Sequence, residues 1–272
     1  MFSVKILADS RNPNGDRLTT VELTYPRFIH SEFMTHRMFS RNAASSRAIP
    51  INKMLENIKK NPVIPIQWGS NKPGMQSGEE VTPLRRKLSK FLWLRLRDIA
   101  VWAAKLLNLI GLHKQIVNRI VEPWMWITII ATGNEAAFEN LFSLRCHPDA
   151  EPHFQHLAYL LRHTYDNNYS VQLNWGEWHL PLIRGEDDSL ATDEKVKVSV
   201  GRCARVSYLT HDGVRDPSKD VELHDRLLKS GHWSPFEHAA KADENGKSGN
   251  FERGWYQYRK YFANEVVRKR NV

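Results

Sequence analysis

The chain reads as an α+β protein: a mixed or antiparallel sheet with helices packed on it. Three observations point there. Residues 3–10 ("SVKILADS") and 17–25 ("RLTTVELTY") alternate in the strand manner, with Pro13, Asn14 and Gly15 between them, which reads as a hairpin. Long amphipathic patterns at 83–111 and 149–165 read as helices. Strands and helices do not alternate as a regular βαβ series, and no solenoid repeat is present.

The remaining elements follow in order. Pro26 opens a helix over 26–39, since proline suits the first helical position. Ser and Asn residues then compete for backbone bonds and end it. "INKMLENIKK" is a short helix, and the stretch from about 62 to 83, rich in Pro, Gly, Ser and Asn, reads as a surface-loop insertion. The long helix of 83–111 ends at Gly111, and "HKQIVNRIV" forms another that stops before Pro123. "MWITIIATG" is a buried strand, and Asn134 is placed to cap the helix of 134–147. Asp149 is placed to cap the next. A linker is expected at about 166–195, including "NWGEWHLPLIRGEDDSLATD". "KVKVSVGRCARVSYLTH" opens as strand or helix, "DVELHDRLLKSG" is a helix closed by Gly231, and "FERGWYQYRKYF" is a packed strand or helix. The whole of 1–272 is expected to form a single domain.

The net charge is +9, which suits an anionic partner such as a nucleotide, a folate, a phosphorylated cofactor or nucleic acid. The two cysteines, Cys146 and Cys203, form neither a disulfide framework nor a metal spacing, and no H-E-x-x-H pattern occurs, so no metal site is expected. The first ten residues lack the apolar region of a signal peptide. The most apolar stretch, 91–110, is interrupted by Arg95, Arg97, Asp98 and Lys105, so no membrane contact and a cytoplasmic location are expected.

The stretch "THRMFSRNAASSRAIP" (35–50) is too polar for core and unusually basic for a loop. Arginine forks suit phosphate or a pyrimidine edge, and serines among small residues form anion-binding turns. On composition alone a solvated basic loop is the slightly better explanation. The order of residues is more specific. His36-Arg37-x-x-Ser40-x-Asn42-x-x-Ser45-x-Arg47 resembles the R-H-R-x-x-S-x-N-x-x-S-x-R-Y signature of the flavin-dependent thymidylate synthases, the ThyX family. "NRIVEP" resembles that family's A-R-x-x-L-P segment, with Arg119 and Pro123 in register. In "TGNEAAFENLFSLRCHPDAE", Thr132, Asn134, Asn140, Leu144, Arg145 and Ala150 fall on a third family pattern. "CARVSYLTH" and "LLKSGHWSPFEHAA" resemble segments that in the family precede the signature, whereas here they follow it, so the motif order is circularly permuted.

The resemblance implies a ThyX-like fold and methylation of dUMP to dTMP. FAD is the implied cofactor, NADPH the reductant and methylenetetrahydrofolate the carbon donor. It implies a homotetramer with sites shared between subunits. It gives Arg145 the catalytic task of holding the uracil edge and favouring ionisation at N3. It gives Ser45, Ser46, Arg47 and Arg119 to the nucleotide, with Glu32 as a compensating neighbour. It gives His36, Arg37, Asn42, Asn134, Asn140, Ser207 and His238 to the flavin.

Thr35, Ala43 and Ala48 stand where the family has Arg, Glu and Tyr. Two further readings therefore stay open. One is a flavin- and folate-dependent C5 hydroxymethylase acting on dUMP or dCMP. The other is a non-catalytic nucleotide- or nucleic-acid-binding protein, for which the basic aromatic "GWYQYRKYF" is the motivating feature. Nucleic acid is the less expected partner of the two.

Overall fold

β1 (Ser3–Arg11) and β2 (Arg17–Pro26) form the expected hairpin. Asn12 closes it: its side-chain carbonyl accepts from the backbone N–H groups of Asn14 and Asp16, both at 3.0 Å. Gly15 supplies the left-handed residue, with φ of +88°. The computed structural model describes residues 1–208, 216–246 and 249–266. In chain order the other elements are α1 (His30–Phe33), β3 (Ser40–Ala43), α2 (Ile51–Lys60), α3 (Pro83–Leu109) and α4 (Lys114–Val117). They continue with β4 (Trp126–Asn134), α5 (Glu135–Arg145), α6 (Pro152–Asp166), β5 (Val171–Gln172) and β6 (Trp178–His179). The described chain ends with α7 (Thr192–Arg205), α8 (Pro217–Ser230), β7 (Ala240–Ala242) and β8 (Trp255–Gln257), with short 3-10 turns between elements.

The main sheet has the order β3-β4-β2-β1-β5 and is antiparallel except for the β1–β5 pair. The two-residue period of the strands sorts its faces. Val21, Leu23, Tyr25, Ile129 and Ala131 pack against α5 and α6, meeting Phe138, Leu141, Phe154 and Leu157. On the opposite face Ile130 meets Leu182, Cys203 and Val206, while Leu18 meets Ala240, Ala242 and Trp255 of the small sheet β6-β7-β8. A further core joins α2, α3 and the 114–124 segment through Met54, Leu55, Ile58, Val101, Ala104 and Trp124.

The fold class matches the expectation: strands and helices are mixed, and the sheet is mainly antiparallel. The long helix runs from Pro83 to Leu109 as expected, and Gly231 caps α8 at φ +69°. Asn134 caps α5, its side-chain oxygen accepting from Ala137 N–H at 3.0 Å.

Several boundaries differ. The expected helix of 26–39 is only a 3-10 turn and one turn of α-helix, ending at Phe33. Ser40–Ala43 instead forms edge strand β3 on β4. Arg41 Nη1 donates to the Met34 and His36 carbonyls at 2.8 and 3.2 Å, satisfying groups that a longer helix would have bonded. The helix expected to stop before Pro123 is one α turn, continued by a 3-10 segment that includes Pro123. Glu151, not Asp149, caps α6, its carboxylate accepting from Phe154 N–H at 2.9 Å.

The expected linker of 166–195 carries β5, β6 and two strongly buried polar side chains, His179 and Asp187. Asp187 holds Arg202 of α7 through two bonds of 2.6 and 2.7 Å, and Asp220 of α8 bonds the same guanidinium at 3.1 Å. A buried arginine needs such partners, which ties this stretch to α7 and α8. The alternating "KVKVSV" is helix, and it is buried widely: Cys203 of α7 packs on Ile130 of the main sheet, Val200 packs on Trp233 and Phe236, and Val196 and Val198 are buried as well. Leu209, Thr210 and His211 of the "CARVSYLTH" motif lie outside the described residues.

Candidate functional site

β3 leads into residues 44–50, and this turn forms the floor of a cleft of about 950 Å³. Asn118 holds the turn from below. Its side-chain amide donates to the carbonyls of Ser46 at 2.6 Å and Ile49 at 3.1 Å. Ser46 Oγ donates to Glu122 at 3.1 Å. The turn is thus pinned by backbone acceptors, which leaves the exposed Arg47 side chain free to face the cleft.

The wall opposite is built by the displaced motif. Asn42 Nδ2 donates to the Cys203 carbonyl at 2.8 Å, and Ser45 N–H donates to the Ser207 carbonyl at 3.2 Å. Ala204 and Ser207 line the cleft beside them, with Leu223, Arg226 and Ser230 of α8 and then His232 and Pro235. Segments from 42–48, 119, 204–207 and 232–235 therefore surround one space, although their sequence order is permuted relative to the family resembled.

The cleft is cationic. Arg27, Arg47, Arg119 and Arg226 line it, together with His30 and His232. Glu122 balances part of this charge, pairing with Arg27 at 3.0 Å and lying 3.9 Å from Arg119. His30 Nδ1 shares a hydrogen bond of 2.8 Å with Tyr25 Oη. Burial, then Arg27 and Arg41, lowers the His30 pKa to about 4, so this ring is neutral at pH 7. Arginine forks and serine hydroxyls around one open space form a donor set that fits phosphate oxygens.

Not every motif residue is in the cleft. Arg145, at the end of α5, faces α1 instead. Its Nε donates to His36 Nε2 at 3.0 Å, its Nη1 lies 3.3 Å from a Glu32 carboxylate oxygen, and its guanidinium stacks 4.5 Å from the Phe154 ring centre. His36 is buried. Burial, then Arg145 and Arg41, lowers its pKa to about 4. Arg37 projects into solvent beside it, and Asn140 is exposed on the outer face of α5.

Asn134 lines a different cleft, of about 700 Å³, with Asp16, Arg17, Phe251 and Arg253. Its side-chain oxygen is occupied by the α5 cap. His238 is fully buried, with Nδ1 bonded to Thr132 Oγ1 at 2.9 Å. The chain of bonds continues from Thr132 to Thr20 at 2.7 Å, to His179 at 2.8 Å and to Ser10 at 2.9 Å. Burial lowers the His238 pKa to about 3 and that of His179 to about 4, so this network joins neutral rings to hydroxyls.

No family model matches the chain, and no curated protein does. Among solved structures it is similar to PolB, a UMP/dUMP methylase from Streptomyces cacaoi. The structure of PolB bound with 5-bromo-dUMP matches with a TM-score of 0.47 and 15% identity, covering 61% of this chain and 90% of PolB. The structure bound with 5-bromo-UMP matches with 0.48 and 14%, covering 61% and 88%. At that depth the similarity assigns the chain neither a family nor an activity.

Sequence reasoning missed Asn118, Glu122, His30 and Arg226. Arg226 had a signal, as a cation on the exposed side of a short helix just before the "HWSPFEH" motif. Asn118 had none, because its task is to hold backbone carbonyls 69 and 72 residues away. Neither cysteine lines the cleft, and burial raises both thiol pKa values. Among the described residues no group of three or more His, Cys, Asp and Glu side chains is arranged to hold a metal ion, and no helix is long and apolar enough to cross a membrane.

Proposed function

We propose that this chain is a flavin-dependent methylase of pyrimidine nucleotides, converting dUMP to dTMP with methylenetetrahydrofolate and NADPH as cosubstrates. The observation that carries the reading is the single cationic cleft in which residues 42–48, Arg119 and Ser207 meet despite their permuted order. Chance resemblance of scattered motifs gives no reason for them to share a cavity.

Arg47 and Arg119 hold the nucleotide phosphate, with the Ser45 hydroxyl and the Ser46 backbone N–H as further donors. Asn42 and Ser207 would hold the flavin, which supplies hydride transfer when bound. His238 and Asn134 act through structure, one inside a polar network and the other as a helix cap. Arg145 keeps donors beyond those given to His36 and Glu32, since a guanidinium carries five N–H groups. Directed at a pyrimidine edge, they stabilise negative charge developing on the ring. Arg145 does not line the cleft of its own chain, so in this reading it serves the cleft of a neighbouring subunit in a homo-oligomer.

A second reading, hydroxymethylation of dUMP or dCMP with the same cofactors, is favoured by one observation. Ala43 and Ala48 both line the cleft where the resembled family places a carboxylate and a phenol. Ring recognition therefore rests on different groups here.

The test is direct. Purified protein is incubated with FAD and its visible spectrum recorded, then assayed with dUMP or dCMP, methylenetetrahydrofolate and NADPH. A bound flavin band and a nucleotide product heavier by one methyl-for-hydrogen exchange support the lead reading. A hydroxymethyl mass gain selects the second. Protein that stays colourless with FAD and leaves the nucleotide unchanged removes both.

A further inference from the structure

Helix α3 carries two apolar faces. Trp93, Ala100, Val101, Ala104 and Leu107 pack into the core formed with α2 and the 114–124 segment. On the opposite side Leu88, Leu92, Ile99, Trp102, Leu106 and Leu109 are exposed, Trp102 by 62%. Positions 88, 92, 95, 99, 102, 106 and 109 alternate steps of four and three, and only Arg95 among them is not apolar. That spacing averages about 3.5 residues, the repeat that sets one helix along another. A solvated helix has no use for it.

We propose that α3 pairs side by side with α3 of a second copy of this chain, in antiparallel orientation, with Ile99 against Trp102 of the partner subunit. The area fits. With Leu84, Phe91 and Ile110 at its borders, the exposed apolar side chains present on the order of 1,000 Å², against about 800 Å² per partner in a stable interface.

Charge selects the orientation. The helix carries seven basic side chains and one acidic one, and Arg85, Arg86, Lys87 and Lys90 crowd its first turns. Parallel pairing would set these cations against each other. Antiparallel pairing sets them beside the C-terminal carbonyls of the partner helix, the negative end of its dipole. Asp98 and Lys105 lie one heptad apart on the same edge of the stripe. In the antiparallel register Asp98 comes beside Lys105 of the partner subunit, and the two-fold axis repeats the pair. This inference is independent of the reaction the cleft performs.

The experiment uses the full chain. Light scattering should give a mass of at least two copies, and the double variant Ile99→Glu/Leu106→Glu should halve it while keeping the thermal midpoint within a few degrees. In a Cys146→Ser background, Ile99→Cys should be joined between copies by a short bismaleimide. Leu88→Cys should not, because its two copies stand roughly 35 Å apart along the antiparallel axis. Cross-linking at both positions means parallel pairing and overturns the arrangement. Absence of cross-linking at Ile99→Cys, or an unchanged mass in the folded double variant, overturns the interface. So does a monomeric wild type, including one that floats with phosphatidylglycerol/phosphatidylcholine vesicles, which would make the stripe a lipid contact instead.

Discussion

Arg145 Nε donates to His36 Nε2 at 3.0 Å, so the imidazole of His36 accepts with Nε2 and carries its proton on Nδ1. The pair fixes the guanidinium plane, and Glu32 and Phe154 complete its seat. Lysine keeps the charge but not the fork. Arg145→Lys is expected to lower kcat by tenfold or more with a smaller change in KM, measured by nucleotide product formation. His36→Ala should move kcat in the same direction by loosening that plane.

Arg47→Ala and Arg119→Ala should each weaken dUMP binding about tenfold or more, the scale of one charge-assisted hydrogen bond. Binding of deoxyuridine, which lacks the phosphate, should hardly change. Calorimetry with both ligands checks this, and equal losses for the two would place the phosphate elsewhere.

Asn118→Ala leaves the carbonyls of Ser46 and Ile49 without their donor. A loss of about 1–3 kcal/mol in unfolding free energy is expected from denaturant titration. Because the same turn floors the cleft, dUMP affinity should fall with it.

Thr132→Val removes the hydroxyl that joins His238 to Thr20. Both partners are buried and would be left short of a bond, so a loss of about 1–3 kcal/mol is expected. Neither Thr132 nor His238 lines the cleft, so dUMP affinity of the folded variant should stay near that of the parent.

Stability should fall in mild acid. His30, His36 and His179 have folded pKa values lowered from the ordinary 6.5 to about 4, and His238 to about 3, with burial the largest cause in each. The unfolded chain therefore binds more protons than the folded one below about pH 6.5. Their contribution is fully present above that pH and is lost progressively as pH falls toward 4. Thermal midpoints measured from pH 7.5 to 4 check the sign, and a midpoint that rises on acidification would contradict it.

Legibility differed between elements for physical reasons. The β1–β2 hairpin and the long α3 were readable because alternation, turn residues, Pro83 and Gly111 are local signals. Ser40–Ala43 was not readable as a strand. Four residues carry little periodicity, and their conformation is set by β4, from which they are distant in sequence. The stretch 174–193, aromatic at first and acidic later, reads as a linker, yet Asp187 is buried to neutralise Arg202, a need visible only once α7 is in place. In the site, Asn42, Ser45, Ser46, Arg47, Arg119 and Ser207 were picked out by motif and share the cleft, while Asn134, Asn140, Arg145 and His238 were picked out in the same way and do not line it.

By itself the sequence determined the class of the fold, the basic small-residue stretch of 35–50 and the long helix of 83–111. These follow from spacing and side-chain chemistry, which need no partner to be read. Tertiary structure alone decided which of those residues meet. It turned residues 40–43 into a sheet edge and seated Arg145 against His36. It set one face of α3 into a core and left the other in solvent. Such outcomes depend on hydrogen bonds and buried contacts between segments far apart in the chain, and no local pattern encodes the neighbour that a distant segment will bring.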